Sequence, residues 1–495
     1  MNLNIIKAAV GKEWFAWSIS CLLCILFSTS SVFAVDKLNQ PTAVEIINTK
    51  ANGFRGIWYM NQPSNDEYVY KYSGGMATYT AKHQPIAIYA EEVNKTFFCY
   101  GATDQANSTL YHAVSYYDHT TGEVTNPTII LDKKTTDAHD NPVISIDEDG
   151  YIWVFSTSHG TSRPSYITKS VKPFSIDEFE LVHAMEIKNG QRVPFDNFSY
   201  FQVWYVKRKG FIALYTKYGP TGDHVIGFNT SKNGVEWNEW QELAHIGAGH
   251  YAISNAVDGK IEITFNYHPA GKGLNYRTNL YYLETTDFGK HWTTVAGEPV
   301  SLPLTNPEND ALIRYFAKDG LNCYLKDLNN DADGNPVILV ISSGGFEAGP
   351  KNDPRTWRII RWKEGWEEIA VTTSDNNYDM GSIYVEDNEV YRIIAPTTQG
   401  PQAYNPGGEI TMWSSSVGSE EWSRTLLTSG SVKNHNYVRR PVFAQPDFYG
   451  IWADGNGRKP STSSLYYCTM DGTVFQLPEY FTEETSFPVK ITGAQ

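Results

Sequence analysis

Sulfur is scarce in this chain. Of its five cysteines, only Cys99, Cys323 and Cys468 lie beyond residue 34. Three thiols close at most one disulfide, which excludes a small scaffold held together by cross-links. Basic side chains are the minority, 40 Lys and Arg against 55 Asp and Glu, for a formal net charge of −15. So acidic a protein is a poor general binder of nucleic acid or of an anionic membrane, and neither is expected as a partner. A locally basic cleft can still hold an acidic polymer, because salt screens charges more than about 10 Å away. Amphipathic helical stretches are nearly absent, and beyond the first residues no apolar run is long enough to span a bilayer.

The first 34 residues have the form of a leader. Lys7 and Lys12 precede an apolar run from Trp14 to Phe27, and Val32-Phe33-Ala34 satisfies the small-residue cleavage rule. Residues 1–34 are therefore expected to be a signal peptide and 35–495 one mature domain, exported to the periplasm or the medium. An odd thiol in an exported protein calls for an explanation, and metal ligation is one.

Aromatic residues make up 14% of the chain, with 32 Tyr and 14 Trp beside 39 Gly and 24 Pro. That composition suits many short strands joined by turns. Strand candidates recur from Ile86-Ala-Ile-Tyr89 to Ser464-Leu-Tyr-Tyr-Cys468 with no linker between them. Even spacing over so long a stretch argues against two separate sandwiches and for a closed radial array, an all-β propeller. The string Thr285-Thr-Asp287-Phe-Gly289-Lys-His-Trp292 has the form of an Asp-box turn between outer blade strands. Thr230 to Trp237 is a copy without the Asp, and Ser414 to Trp422 is another with one residue inserted.

The stretch that organises the rest runs from Asp137-Ala-His139-Asp140 to Ser158-His159-Gly160 and Arg163. Between its polar ends lies an alternating run, Val143 to Phe155, around the turn Asp147-Glu-Asp-Gly150. A hairpin of that length returns His159 to the side of His139. A lone histidine at such a place is more often a turn cap, but two converging beside Asp137, Asp140 and Arg163 favour a site. Similar polar strings follow most of the other strands, among them Lys82-His83-Gln84, Asn197 to Gln202, Lys217-Tyr218, Gly249-His250-Tyr251, Asn266 to Pro269, Asn322-Cys323, and Asn434 to Pro441. One polar string per blade is what a funnel at a propeller axis requires.

These strings, together with Asn279-Leu-Tyr-Tyr-Leu-Glu-Thr-Thr-Asp-Phe-Gly289 and Asn377-Tyr-Asp-Met-Gly381-Ser, resemble the exported BNR-repeat family, and within it the propeller-fold ulvan lyases of marine bacteria. The likeness covers about residues 50–480. It implies a single seven-bladed propeller that cleaves ulvan, a sulfated acidic polysaccharide, by β-elimination at the uronic acid; a monomer is expected. A positive or hydrogen-bonding group must neutralise the C6 carboxylate, a base must take the C5 proton, and an acid must protonate O4 as it leaves. By the resemblance His139 and Tyr200 are the catalytic pair, in either order, and His159 and Tyr251 line the same cleft. Where the family has an arginine as neutraliser, this chain has Lys217, with Arg208 or Arg439 as substitutes. A structural zinc is also implied; His268, Cys323 and His435 are residue types that zinc prefers, although no local spacing unites them. The elimination itself needs no cofactor.

Two other readings stand beside this one. A sialidase-like glycoside hydrolase would share the Asp boxes, but it would need an arginine triad and a Tyr–Glu pair. A non-catalytic carbohydrate-binding propeller would keep the aromatic and arginine residues without a paired His and Tyr.

Overall fold

Each strand-rich segment of the chain folds back on its neighbour, and the resulting antiparallel sheets follow one another around an axis. The structure is a computed structural model that describes residues 44–491, apart from 80, 81, 387–389, 417, 418 and 420. The leader read over residues 1–34 lies outside the described residues.

The strands Pro142–Ile146 and Ile152–Ser156 form the expected hairpin, with Ile146 opposite Ile152 and Pro142 opposite Ser156. Its turn closes because Gly150 takes φ +83°, while the Asp147 carboxylate accepts from the backbone NH of Asp149 and Tyr151. Tyr166–Ser170 and Phe179–Val182 complete a four-stranded blade. Three more four-stranded blades span Ala252 to Arg314, Asn322 to Ser374 and Ser382 to Leu426. A five-stranded blade begins at Asn434–Arg439 and ends with Val489–Lys490.

The expectation of seven blades is corrected here. Five sheets are blades of four or five strands, and the molecule is a five-blade propeller of that form, not a ring of seven equivalent ones. The remaining strands enter two seven-stranded sheets and a two-stranded ribbon, Tyr59–Pro63 with Tyr70–Gly74. One large sheet combines Ala87–Ala90, Lys95–Ala102 and Tyr111–Asp118 with strands from both chain ends, Thr49–Lys50 and Thr485–Ser486. The other, starting at Ser199–Val206, is extended by the hairpin Met185–Lys188 and Gln191–Pro194 through Glu236–Trp237. Strand spacing along a chain does not distinguish a hairpin that makes its own blade from one that lengthens a neighbour. The ring is closed by Gly56, which bridges Ala102 of the first sheet and Ser463 of the last.

The Asp-box at Thr285 forms as expected. Asp287 accepts from the His291 NH at 2.9 Å, the Thr285 hydroxyl accepts from the Gly289 NH at 3.0 Å, and Trp292 is buried against Phe228 of the preceding sheet with ring centroids 5.3 Å apart. Gly289 sits at φ +87°, and a Cβ there would meet the Phe228 ring at 2.4 Å, so both backbone and packing require glycine. In the Thr230–Trp237 copy, Asn233 takes over the missing carboxylate, accepting from the NH groups of Val235 and Glu236. The third copy lies partly outside the described residues. Truncating Trp292 to Ala removes the largest contact of this turn; the expected loss is about 3–5 kcal/mol of unfolding free energy, read from denaturant midpoints at unchanged slope.

Candidate active site

Several sheets carry a tyrosine at or just before the start of one edge strand, and these tyrosines gather at one mouth. Tyr200 opens Ser199–Val206, Tyr251 precedes Ala252–Val257, Tyr324 opens Asn322–Asn330, and Tyr378 precedes Ser382–Glu386. They touch in sequence around the axis: Tyr200 to Tyr251 with centroids 5.4 Å apart, Tyr251 to Tyr79 at 6.5 Å, Tyr79 to Tyr324 at 5.8 Å, and Tyr324 to Tyr378 at 5.6 Å.

Tyr200 is held there by a bulge. Ser199 pairs with Thr216 and Gln202 with Leu214, so Tyr200 and Phe201 together face Tyr215 alone. Tyr200 consequently adopts φ +51°, a left-handed conformation that costs a bulky residue on the order of 1 kcal/mol or more. A bulge turns a side chain out of the strand's alternation, here toward the axis. The same device recurs in the last blade, where Tyr437 takes φ +63° between Asn436 and Arg439.

The two histidines meet as the hairpin predicted. Their rings are stacked, with centroids 3.8 Å apart and planes 8° from parallel. Asp137 lies between them: His139 Nδ1 is 2.5 Å from Oδ1, and His159 Nδ1 is 3.0 Å from Oδ2. The Asp137 carboxylate also accepts from the His139 backbone NH at 3.1 Å and from Arg163 Nη2 at 2.8 Å. Burial alone would raise the Asp137 pKa, but the hydrogen bonds from both imidazoles hold it far below the usual carboxylate range. An ionised Asp137 accepts only, so each ring carries its proton on Nδ1 when neutral and presents Nε2 as a lone pair. Asp140 behind them is fully buried and paired with Arg163 at 2.5 Å and Lys133 at 3.1 Å. His139 is nearly buried, whereas the His159 side chain is 43% exposed at the mouth.

The Tyr200 ring meets His139 edge-on with centroids 5.3 Å apart, and the Tyr218 hydroxyl donates to the Tyr200 hydroxyl at 3.2 Å. Burial pushes the Tyr200 phenol well above its ordinary pKa, with neighbouring Tyr218 and Tyr251 adding to the effect. His224 fills the space between Tyr200, Tyr218 and Tyr251 and is pushed down to about 3, first by burial and then by His139. The site thus holds a protonated phenol, Tyr200, in ring contact with His139 and with a neutral imidazole, His224.

Lys217 is not among them. On the strand Gly210–Tyr218 its neighbour Tyr218 faces Tyr200, so alternation turns Lys217 to the other face. There its Nζ lies 3.1 Å from Glu186 and 5.1 Å from the Trp240 ring centre. Arg208 sits in an exposed turn at the far end of the same hairpin. Arg439 lies deeper on the axis, donating to the Gln84 side-chain carbonyl and, at 3.3 Å, to the Lys326 backbone carbonyl. The guanidinium next to the tyrosines belongs to Arg277, part of the polar string Arg277-Thr-Asn279, to which the sequence assigned no role. It is fully buried, 4.6 Å from the Tyr251 ring centre and 4.8 Å from that of Tyr79, and Nη2 donates to the Tyr72 hydroxyl at 2.8 Å. Its Nη1 has no hydrogen-bond partner. Lys82 and Lys326 stand below it over the Tyr79 ring, at 3.5 and 4.3 Å, each pushed well down by burial.

The zinc set His268, Cys323 and His435 is not assembled. His268 packs on Tyr251 with centroids 5.0 Å apart. Cys323 is buried among Leu280, Phe316 and Ile338, which pushes its thiol up and disfavours the thiolate a zinc ion needs. Both ring nitrogens of His435 are engaged, Nδ1 by the Trp452 indole at 3.1 Å and Nε2 by the Ser431 hydroxyl at 3.0 Å. Among the described residues, the one group of three or more potential ligands brought together is Asp137, His139 and His159. The three cysteines among the described residues, Cys99, Cys323 and Cys468, are free and buried.

The fold and this mouth define an all-β propeller with a polar, aromatic-lined axial site. Residues 95–374, more than half the chain, match the model of the BNR repeat-containing family, and the protein belongs to that family. It is similar to an ulvan lyase of Nonlabens ulvanivorans, 24% identical over 332 residues, covering 60% of this chain and 66% of that one. It is also similar to the ulvan lyase PL25 of Pseudoalteromonas sp. (strain PLSV), 23% identical over 336 residues, covering 59% and 64%. The chain therefore spans just under two thirds of the length of these relatives. Among solved structures, a PL25 ulvan lyase superposes with a TM-score of 0.63 at 18% identity, over 86% of this chain and 96% of that one. A PL25 ulvan lyase bound to -[GlcA(1-4)Rha3S]- gives 0.62 at 17%, over the same shares. At such identities the superpositions establish the fold alone.

Proposed function

We propose that the protein is a polysaccharide lyase that cleaves ulvan by β-elimination at the uronic acid, leaving a 4,5-unsaturated end. The observation that carries this is the pairing of His139 and Tyr200, an imidazole with its lone pair on Nε2 beside a phenol kept protonated by burial. His139 Nε2 takes the C5 proton, and the electrons of that C–H bond form the C4=C5 double bond. The C4–O4 bond breaks, and Tyr200 gives its proton to the departing O4. Asp137 holds the His139 ring in the required tautomer and stabilises the imidazolium that forms, as a carboxylate does for a catalytic histidine elsewhere. His159, exposed at the mouth with its own Nε2 free of the Asp137 contact, accepts a hydrogen bond from a hydroxyl of the uronate. Arg277 supplies the positive field that makes the C5 proton acidic, acting through a water-poor tyrosine layer in which charge is weakly screened.

Digestion of ulvan in heavy-oxygen water separates this chemistry from hydrolysis. Elimination places no solvent oxygen in either new end, so mass spectra of the products carry no label. Label in the reducing ends would assign a hydrolase, and an unchanged polymer that still binds would assign a carbohydrate-binding propeller. The geometry also orders the cations. Lys217→Met leaves turnover essentially unchanged, whereas Arg277→Met lowers kcat by about 10²–10³, measured on variants whose far-ultraviolet circular dichroism matches the parent.

A further inference from the structure

The turn that carries Arg208 away from the mouth has neighbours of its own. It is closed by the Lys209 NH, which donates to the Val206 carbonyl at 2.9 Å, with Arg208 at φ +65° and Gly210 at φ +100°. Arg208 and Lys209 are both exposed there. Two more turns lie beside it. The Asp-box of the next blade presents Lys290, and its copy at Thr230 presents Lys232. Both are held by the side-chain hydrogen bonds described above, so the two lysines stand on fixed supports. The three turns line a groove of about 450 Å³. The strand Gly210–Tyr218 runs from this groove to the mouth, a span of about 25 Å at the usual rise of a strand.

The charge of the groove is one-sided. Arg208, Lys209, Lys232 and Lys290 all line it, and none of the four forms an ion pair among the described residues; Lys209 Nζ reaches only the Thr286 carbonyl, at 3.3 Å. The single carboxylate in the lining, Asp287, is used by its own turn. Its Oδ1 accepts from the His291 NH and the Thr285 hydroxyl, each at 2.9 Å, and its Oδ2 lies 2.6 Å from His291 Nδ1. Glu148, which does not line the groove, accepts from the Arg208 backbone NH at 3.0 Å. Four cations against these two carboxylates leave the groove positive, in a chain whose net charge is −15. Salt screens the rest of the acidic surface beyond about 10 Å, so the local excess decides what is attracted. The exposed Gln241 side chain makes no hydrogen bond among the described residues and offers a free amide to a hydroxyl. What the lining lacks narrows the ligand further. Its aromatic residues, Phe228 and Phe288, are buried and half-buried, so a nucleic-acid base finds no open ring to stack on. None of the exposed large apolar side chains among the described residues lies in it, which leaves nothing to insert into a lipid surface.

We propose that this groove is a non-catalytic binding site for a stretch of acidic polysaccharide. Acidic substituents of the polymer pair with Arg208, Lys232 and Lys290, and a sugar hydroxyl meets the Gln241 amide. The site goes beyond the proposed reaction and rests on it only for the choice of polymer. A chain held here as well as at the mouth makes its second contact within one complex, which raises the local concentration of cleavable bonds.

The test measures binding to immobilised ulvan by the full protein carrying Tyr200→Phe, so that cleavage is slow, with a neutral β-glucan and a single-stranded DNA oligonucleotide as the other probes. Lys232→Gln together with Lys290→Gln, added to that background, is expected to weaken binding to ulvan about tenfold at low salt, a difference that shrinks as salt is raised. Lys172→Gln with Lys363→Gln makes the same change of charge at exposed positions away from the groove and should leave binding as it was. In the otherwise native enzyme the groove pair should raise KM on long ulvan, while kcat and KM on oligosaccharides too short to reach the groove stay the same. Binding that ignores Lys232 and Lys290, or falls equally in the control pair, would overturn the site. An equal loss on the neutral glucan would overturn the acidic ligand, and DNA held by the groove more tightly than ulvan would overturn the glycan. The two proposals fail separately. Absence of unsaturated product with binding still dependent on the groove lysines removes the lyase reading alone, and product formation with binding indifferent to them removes the groove alone.

Discussion

Tyr200→Phe is expected to lower the rate of product formation from ulvan by about 10²–10⁴, the range that a positioned proton donor supplies. Phenylalanine keeps the ring that meets His139 at 5.3 Å and Tyr251 at 5.4 Å, so the wall of the site stays in place. Only the hydroxyl is lost, and with it the acceptor of the Tyr218 hydroxyl. The loss should therefore fall on kcat, with KM and the unfolding midpoint nearly constant. Burial has already pushed the phenol well above its normal pKa, so the wild-type residue is a proton donor across the neutral range and not a phenolate base. A drop in the unfolding midpoint as large as the drop in rate would show that Tyr200 serves the fold and not the reaction.

The second large effect is acid sensitivity. His83, His112, His224 and His250 are buried, and burial is the first cause that pushes each of them down to about 3. In the unfolded chain each returns to a pKa of about 6.5. Between those two values the unfolded state binds protons that the folded state refuses, so stability is complete above pH 6.5 and is lost as the pH falls toward 3. Each such histidine changes stability by at most about 1.4 kcal/mol per pH unit. The four together would exhaust a typical reserve of about 5–15 kcal/mol within two or three pH units. His268 is shifted in the same direction. Asp137, whose pKa is depressed, adds a loss of its own below the normal carboxylate pKa of about 4. The thermal midpoint should therefore begin to fall near pH 6.5 and drop steeply before pH 4. A midpoint that stays level from pH 7 to 4 would mean that these rings take up protons inside the fold.

Much of the site was legible in the chain because local rules govern it. The Asp147–Gly150 turn and the alternation on either side placed His159 beside His139, and the Asp-box spacing placed Trp292 between sheets. Neither depends on distant residues. Lys217 failed for a reason that is also local but finer. A strand shows one of two neighbours to a given side, and the Tyr200 bulge decides that it is Tyr218; alternation alone does not reveal a bulge. Arg277 was hidden because its role comes from tyrosines spread from Tyr72 to Tyr378, which only the closed ring unites. The same distance defeated the zinc set: suitable residue types at wide spacings say nothing about meeting, and His435 spends both nitrogens within its own blade. The blade count erred because Met185–Lys188 and the strands near both ends of the described chain read as ordinary hairpins, yet they enlarge existing sheets.

The central claim is that the His139–Tyr200 mouth performs an elimination on a uronate. Its most direct test is the ultraviolet absorbance of purified protein incubated with ulvan. A steady rise from the conjugated double bond of the 4,5-unsaturated uronate, abolished in the Tyr200→Phe and His139→Ala variants, is the predicted result. Reducing ends that accumulate with no rise in absorbance, or a rise that persists in both variants, would contradict it.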